Sequence, residues 1–83
     1  MQNFDKIALY GTEGCHLCDV AAAEIRQALC AFPDQQIGYV DIVDSDELIK
    51  NYAERIPVLV NELTGNELEW PFTAEDVKSW LMF

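Results

Sequence analysis

Apolar positions along this chain come either in short β-rich runs or at spacings of three and four, and each pattern predicts its own elements. Phe4 to Tyr10 (FDKIALY) ends in a β-rich apolar run stopped by Gly11, which predicts a strand and then a turn over Thr12-Glu13-Gly14. From Cys15 to about Ala31 the apolar residues Leu17, Val20, Ala21, Ile25, Ala28 and Leu29 recur every three or four positions, and Phe32 continues the series. A helix with one buried face is expected there, ended by Pro33 and Asp34. Gln36 to Val43 predicts a second strand, with Ile37, Tyr39 and the pair Ile42-Val43 supplying bulk. Asp44-Ser45-Asp46-Glu47 offers capping oxygens and early acidic charge, so a short helix starts there and carries Leu48-Ile49 and Tyr52-Ala53. Val58-Leu59-Val60 directly follows Pro57, and Glu67 to Trp70 follows a Thr64-Gly65-Asn66 turn; together they predict an antiparallel hairpin. Thr73 caps a last helix whose apolar side is Val77, Trp80 and Leu81.

The expected order is β-α-β-α-β-β-α, an α/β class with a four-stranded mixed sheet flanked by helices. The first two strands, joined by a helix, should be parallel with a right-handed crossover. The hairpin must add to the same sheet, or Val58 and Val60 would lie uncovered. Eighty-three residues suit a single domain over 1–83 with a modest core, and two regular layers are what such a chain is expected to build. Repeats, linkers and low-complexity tracts are not visible.

Charge narrows the function classes. With 5 basic and 15 acidic residues the chain carries a net charge of −10, which repels phosphate backbones and anionic membrane surfaces alike. Neither nucleic acid nor membrane is an expected partner, and a monomer is expected. The first residues lack the basic, apolar, small-residue pattern of an export signal, and no apolar run approaches the ~20 residues that would span a bilayer. A cytoplasmic location follows as the expectation. In that reducing compartment a C-x-x-C is redox-active or metal-binding more often than structural.

Cys15-His16-Leu17-Cys18 is therefore the candidate chemistry. Cys15 follows Gly14 at the start of the long helix, where unpaired backbone N–H groups and the helix dipole favour a negative charge and lower a thiol's pKa. Cys18 lies three residues on, near the same face and within reach of a disulfide. Its direction on the helix is close to that of Ile25 and Phe32, so Cys18 should be the buried partner and Cys15 the exposed nucleophile. Thiol–disulfide exchange needs those two unequal roles, an attacking thiolate and a resolving thiol. His16 either adds positive charge beside Cys15 when protonated or is simply an exposed helix-start residue. Glu13 opposes ionisation of the thiol. Leu17 is expected as packing or as an apolar rim. A zinc site could draw on Cys15, His16, Cys18 and Cys30, but a continuous helix would place Cys30 about 22 Å along the axis from Cys15. Cys30 projects away from the buried face and is expected to be a bystander thiol, or a surface point for oxidation or glutathionylation.

Ile56-Pro57-Val58 puts a proline at the entrance of a strand, where no ladder donor is needed. With a helix-starting C-x-x-C about forty residues earlier, in this element order, the sequence resembles the thioredoxin-like superfamily and within it the glutaredoxins, a group of short bacterial glutaredoxin-like proteins in particular. The resemblance covers nearly the whole chain. It is carried by Tyr10-Gly11-Thr12-Glu13-Gly14-Cys15-His16-Leu17-Cys18, by Arg55-Ile56-Pro57-Val58-Leu59, and by Leu68-Glu69-Trp70-Pro71-Phe72. It implies a small thiol–disulfide oxidoreductase with Cys15 as nucleophile and Cys18 resolving. It further implies a cis bond before Pro57, with Pro57 and the backbone of Ile56 facing the cysteines and pairing with an extended substrate. That substrate would be a disulfide-containing protein or glutathione, with glutathione as co-substrate and no tightly bound cofactor.

This chain departs from the glutaredoxin pattern in three places. His16-Leu17 stands where that family carries Pro-Tyr, and Thr12 stands where it has Lys or Arg. Glu69-Trp70-Pro71-Phe72-Thr73 replaces the Gly-Gly turn that helps to hold the γ-glutamyl end of glutathione. Arg55 is the one cation expected near the cysteines, either stabilising a thiolate or holding a carboxylate, unless it is just an exposed helix-end residue. Thr73 either donates to a substrate carboxylate or only caps its helix. Trp70, Pro71 and Phe72 form an apolar rim or fill the core under the last helix. Two other readings stay beside the oxidoreductase: a binding module that keeps the fold without turnover, and a metal or iron–sulfur carrier through the cysteines.

Overall fold

The computed structural model describes residues 6–82. Strand β1 (Ile7–Gly11) leads into helix α1 (His16–Leu29), strand β2 (Ile37–Asp41), helix α2 (Asp46–Tyr52), strand β3 (Val58–Asn61), strand β4 (Glu67–Glu69) and helix α3 (Ala74–Met82). The sheet order is β2-β1-β3-β4, with β1 parallel to β2 and antiparallel to β3, and β3 antiparallel to β4. This mixed four-stranded sheet with three helices is a thioredoxin-like fold, in the order expected from the sequence. Among the described residues no helix is long and apolar enough to cross a membrane.

Three expectations need correction. The first strand was expected from Phe4; Phe4 and Asp5 lie outside the described residues, and the strand runs from Ile7. The second strand ends at Asp41, not Val43. The Asp41 side chain accepts the Val43 N–H at 3.1 Å and turns the chain into a short 3-10 segment, Ile42–Asp44. Ile42 is thereby buried while Val43 points to solvent. The third correction concerns the layers: the sheet is covered on both faces, giving three layers instead of two.

The reason lies in the two central strands. Every residue of β1 and of β3 is buried, so neither face of those strands can be left to water. One face packs Ile7, Leu9 and Leu59 against Ala21, Ile25 and Ala28 of α1 and against Phe72 and Val77. Ala21 and Ala28 are small, which lets α1 lie close to the sheet. The other face carries Ala8, Tyr10, Val58 and Val60, and is covered by Ile42 together with Leu48 and Tyr52 of the short α2.

Local chemistry sets the ends of the elements. The Ser45 hydroxyl accepts the Leu48 N–H and caps α2. Gly65, at φ +84°, takes the left-handed conformation that the hairpin turn requires. Buried Asn61 is satisfied there, its Oδ1 accepting from the N–H groups of Leu63 and Thr64. At α3, Thr73 Oγ1 accepts the Asp76 N–H and Asp76 Oδ2 accepts the Thr73 N–H, a reciprocal capping box.

Leu59 is wholly buried at the centre of this arrangement, whereas Leu63 in the hairpin turn is 61% exposed. Leu59→Ala should lower unfolding stability by about 2–5 kcal/mol through lost transfer energy and a residual cavity. Leu63→Ala should stay within about 0.5 kcal/mol of the parent. Denaturant unfolding of the two variants side by side checks the contrast.

Candidate functional site

Strand β1 delivers the chain to a turn whose Gly14 adopts φ +79°, a conformation that disfavours side chains, and the next residue is Cys15. Cys15 is the N-cap of α1, with extended backbone angles, and its Sγ accepts the N–H of Cys18 at 3.2 Å. A sulfur thus occupies the place where Ser or Asp oxygens commonly satisfy the first-turn donors. Cys15 and Cys18 are joined as a disulfide, with Cα atoms 5.2 Å apart. Their surroundings differ. Cys18 is 4% exposed within the α1 face that meets the sheet, whereas Cys15 is only partly covered.

Gly11 explains how a helix can seat its cysteine against a strand. A methyl group at Gly11 would lie 2.7 Å from Cys18 Sγ and 3.3 Å from the hydroxyl of Tyr39. The Cys18 sulfur and the Tyr39 phenol therefore close on one spot, which stays open because residue 11 has no side chain. Neither Gly11 nor Tyr39 was singled out as a site residue in the sequence. The available signal was a glycine four positions before Cys15; a tyrosine on the neighbouring strand gave none.

The register between β1 and β3 brings the second landmark to the same end of the sheet. Val58 pairs with Tyr10, so Pro57 arrives at the level of Gly11. Pro57 is buried, and the Ile56–Pro57 and Trp70–Pro71 bonds are both cis. The N–H of Ile56 donates to the Tyr52 carbonyl at 3.1 Å, and the Pro57 carbonyl accepts the Trp70 N–H at 3.2 Å. Of this loop, the Ile56 N–H and the Pro57 carbonyl are thus used internally.

The remaining candidates separate. His16 is the exposed first residue of α1, and Leu17 beside it is 46% exposed, forming an apolar rim at the disulfide. Thr73 acts as a cap, and the Glu24 carboxylate reaches across from α1 to accept the Ala74 N–H at 2.7 Å. The chain's own acidic groups therefore take the N–H groups of Thr73 and Ala74, and the Thr73 hydroxyl takes that of Asp76. Of the Trp70-Pro71-Phe72 stretch, Phe72 fills the core, Trp70 packs edge-on against it, and Pro71 is exposed. Cys30 is an exposed free thiol at the far end of α1, donating to the Arg26 carbonyl.

Arg55 holds carboxylates, and they belong to its own chain. Its guanidinium pairs with Glu67 and, at 2.7 Å, with Glu69, and it stacks 4.9 Å over the Tyr52 ring. Tyr52 in turn donates to Glu67, while Tyr10 donates to Glu62 at 2.7 Å. Burial and the bond to Glu62 push the Tyr10 phenol well above its usual range. For Glu67, burial favours the neutral acid, but hydrogen bonds from Arg55 and Tyr52 and the arginine's charge outweigh it and hold the carboxyl below the usual range. Among the described residues no group of three or more His, Cys, Asp or Glu side chains is arranged to hold a metal ion. The two cysteines alone supply fewer ligands than the four of a structural zinc site.

Two outcomes follow from this geometry. Gly11→Ala drives a methyl group into Cys18 Sγ and should cost the oxidised protein about 1–3 kcal/mol, as overpacking does, measured by urea unfolding under non-reducing conditions. Arg55→Met should cost up to about 1 kcal/mol near neutral pH, the range of a partly exposed ion pair. Because the folded state holds Glu67 at a lowered pKa, that stabilisation is complete above the ordinary carboxylate range. It is lost as pH falls through the lowered value, so parent and variant should converge in acid unfolding curves.

Comparison with known proteins agrees with this arrangement. A protein from X. campestris, the structural genomics target XcR50, has a crystal structure that is 37% identical, covering 92% of this chain and 95% of that one with a TM-score of 0.74. Its solution structure superposes with a TM-score of 0.72 at 36% identity, over 93% of this chain and 92% of that one. The solution structure of protein Ne2328 from Nitrosomonas europaea is 25% identical over 96% of this chain and 94% of that one, with a TM-score of 0.75. A search of curated proteins gave no match. The model of the glutaredoxin-like domain family (DUF836) matches residues 6–82. With a cysteine pair seated between Gly11 and the start of α1 on a thioredoxin-like sheet, the chain belongs to the glutaredoxin-like domain family.

Proposed function

We propose that this protein is a small thiol–disulfide oxidoreductase that reduces disulfides of other proteins, including their mixed disulfides with glutathione. One observation carries the reading: a Cys15–Cys18 pair at a helix start, with one sulfur at the N-cap and the other buried. In the dithiol form the Cys15 sulfur, held by the Cys18 N–H and the α1 dipole, is the thiol that ionises. Its thiolate attacks one sulfur of the substrate disulfide; a Cys15–substrate bond forms, and the other substrate sulfur leaves with the electron pair. Cys18 then attacks the Cys15 sulfur, the second substrate thiolate departs, and the intramolecular disulfide closes. Two electrons have passed from the pair to the substrate. Two equivalents of an external thiol such as glutathione, or one dithiol, reset the pair.

The surroundings favour a protein substrate over free glutathione. Thr73 and Ala74 at the start of α3 have given their N–H groups to Asp76 and Glu24, so a ligand carboxylate would have to displace an internal acid. Arg55 is neutralised by Glu67 and Glu69. The exposed Leu17 offers an apolar contact for a protein partner.

The trapping experiment tests this directly. Cys18→Ser should accumulate mixed disulfides with a disulfide-bearing model protein, because the resolving thiol is gone, while Cys15→Ser should accumulate none. Equal trapping by both variants, or by neither, would sink the proposal. Steady-state reduction by the parent should be faster for a protein disulfide than for a glutathione mixed disulfide of a small thiol.

A further inference from the structure

Tyr39 sits on β2, outside every motif of the dithiol site, and its hydroxyl nonetheless reaches the Cys18 sulfur's side of the sheet. The parallel register pairs Tyr39 with Leu9 and Asp41 with Gly11, so Tyr39 shares a face of the sheet with the strand residues under α1. Tyr39 is 55% exposed, and its hydroxyl lies 3.3 Å from the position a Gly11 Cβ would take, with Cys18 Sγ 2.7 Å from the same point. A phenol that ends beside the one spot against which a buried sulfur is seated calls for a chemical account.

We infer that the Tyr39 hydroxyl is the hydrogen-bond donor to the Cys18 sulfur whenever that sulfur carries the electron pair of an opened disulfide. The use of this bond in turnover rests on the exchange activity proposed above; the bond itself does not. When an external thiolate resets the oxidised protein, it attacks Cys15 Sγ. The new bond joins it to Cys15, the Cys15–Cys18 bond breaks, and the electron pair moves onto Cys18 Sγ. That sulfur is buried, and burial disfavours a thiolate. The groups facing it do not supply a cation. His16 points to solvent and Arg55 is bound to Glu67 and Glu69. Asp41, Asp19 and Glu13 add negative potential at the Tyr39 hydroxyl. A neutral O–H donor offsets the desolvation without bringing a charge. Burial, and then Asp41, Asp19 and Glu13, raise the phenol's pKa, so Tyr39 keeps its proton throughout the range in which thiols ionise. Tyr39 therefore lends a hydrogen bond and remains protonated; the proton that finally neutralises Cys18 comes from water. In the forward direction the same bond raises the share of Cys18 present as the attacking thiolate.

The test isolates Cys18 and then removes one oxygen. In a Cys15→Ser, Cys30→Ser background, Cys18 is the single thiol, and the NMR shift of its isotope-labelled Cβ reports ionisation against pH. Adding Tyr39→Phe should raise the Cys18 pKa by about one unit, which leaves roughly tenfold less thiolate at a given pH below it. Adding Tyr39→Leu instead, which also removes the ring, should shift it to a similar extent. Unchanged titration on Tyr39→Phe would overturn the inference, as would a shift confined to Tyr39→Leu, since that would make the residue merely a packing group. In the chain with both cysteines, Tyr39→Phe should slow attack by a small external thiolate on the oxidised pair by about two- to threefold, since exchange rates follow thiol pKa with a sensitivity well below one. A shifted titration in a protein that exchanges no disulfides would sink the proposed activity and leave the Tyr39 bond standing.

Discussion

The close seat of Cys18 against Gly11 is the contact on which the rest of the site depends. It sets how near α1 can come to β1, and it makes the two sulfurs unequal, burying one under the helix and leaving the other at its rim. Because Cys15 is both the N-cap and the neighbour of that seat, one residue ends the turn, satisfies a first-turn donor and presents its sulfur. A side chain at residue 11 would force those functions apart. The absence of a Cβ here is a packing requirement; at Gly14 and Gly65 the glycine serves the backbone conformation.

The second face of the sheet obeys a different logic. There α2 is only seven residues long, too short to bury β1 and β3 by aliphatic contact alone. Tyr52 completes the cover by stacking on Tyr10 and bonding Glu67, and Arg55 ties the chain just before Pro57 to the edge strand β4. A row of carboxylates on an edge strand also discourages pairing with a second sheet. In a chain of net charge −10, the arginine is thus committed to holding the fold at the approach to Pro57 and is not free for a ligand.

The same economy of charge shapes the chemistry. Glu13, Asp19 and Asp41 gather at the disulfide end, while the start of α3 is occupied by Glu24 and Asp76. Anionic ligands meet carboxylates at both places. Stabilisation of a sulfur anion then falls to neutral donors, the Cys18 N–H for Cys15 and, on the inference drawn above, the Tyr39 hydroxyl for Cys18. For the exchange activity proposed, such a setting favours disulfides carried on a larger molecule, whose contacts beyond the sulfurs can offset the repulsion.

Much of this was legible in the chain itself. Short β-rich runs and apolar spacings of three to four place seven elements in order, because strands and helices bury their side chains in those patterns. The reach of the cysteine pair also follows from local geometry, since residues three apart lie near one face, and its unequal burial follows from Cys18 lying in the direction of Ile25. The limits of β2 did not follow, because Asp41 ends the strand through a bond to Val43 that no periodicity records. Nor did the third layer, although the unbroken apolar runs Ile7–Tyr10 and Val58–Val60 already carried its signal. What only the tertiary structure decided are the long-range meetings: Glu24 with Ala74, Arg55 with Glu67 and Glu69, and Tyr39 and Cys18 each with Gly11. Each joins residues on separate elements through side-chain reach and sheet register, and those distances come into being only when the chain has folded.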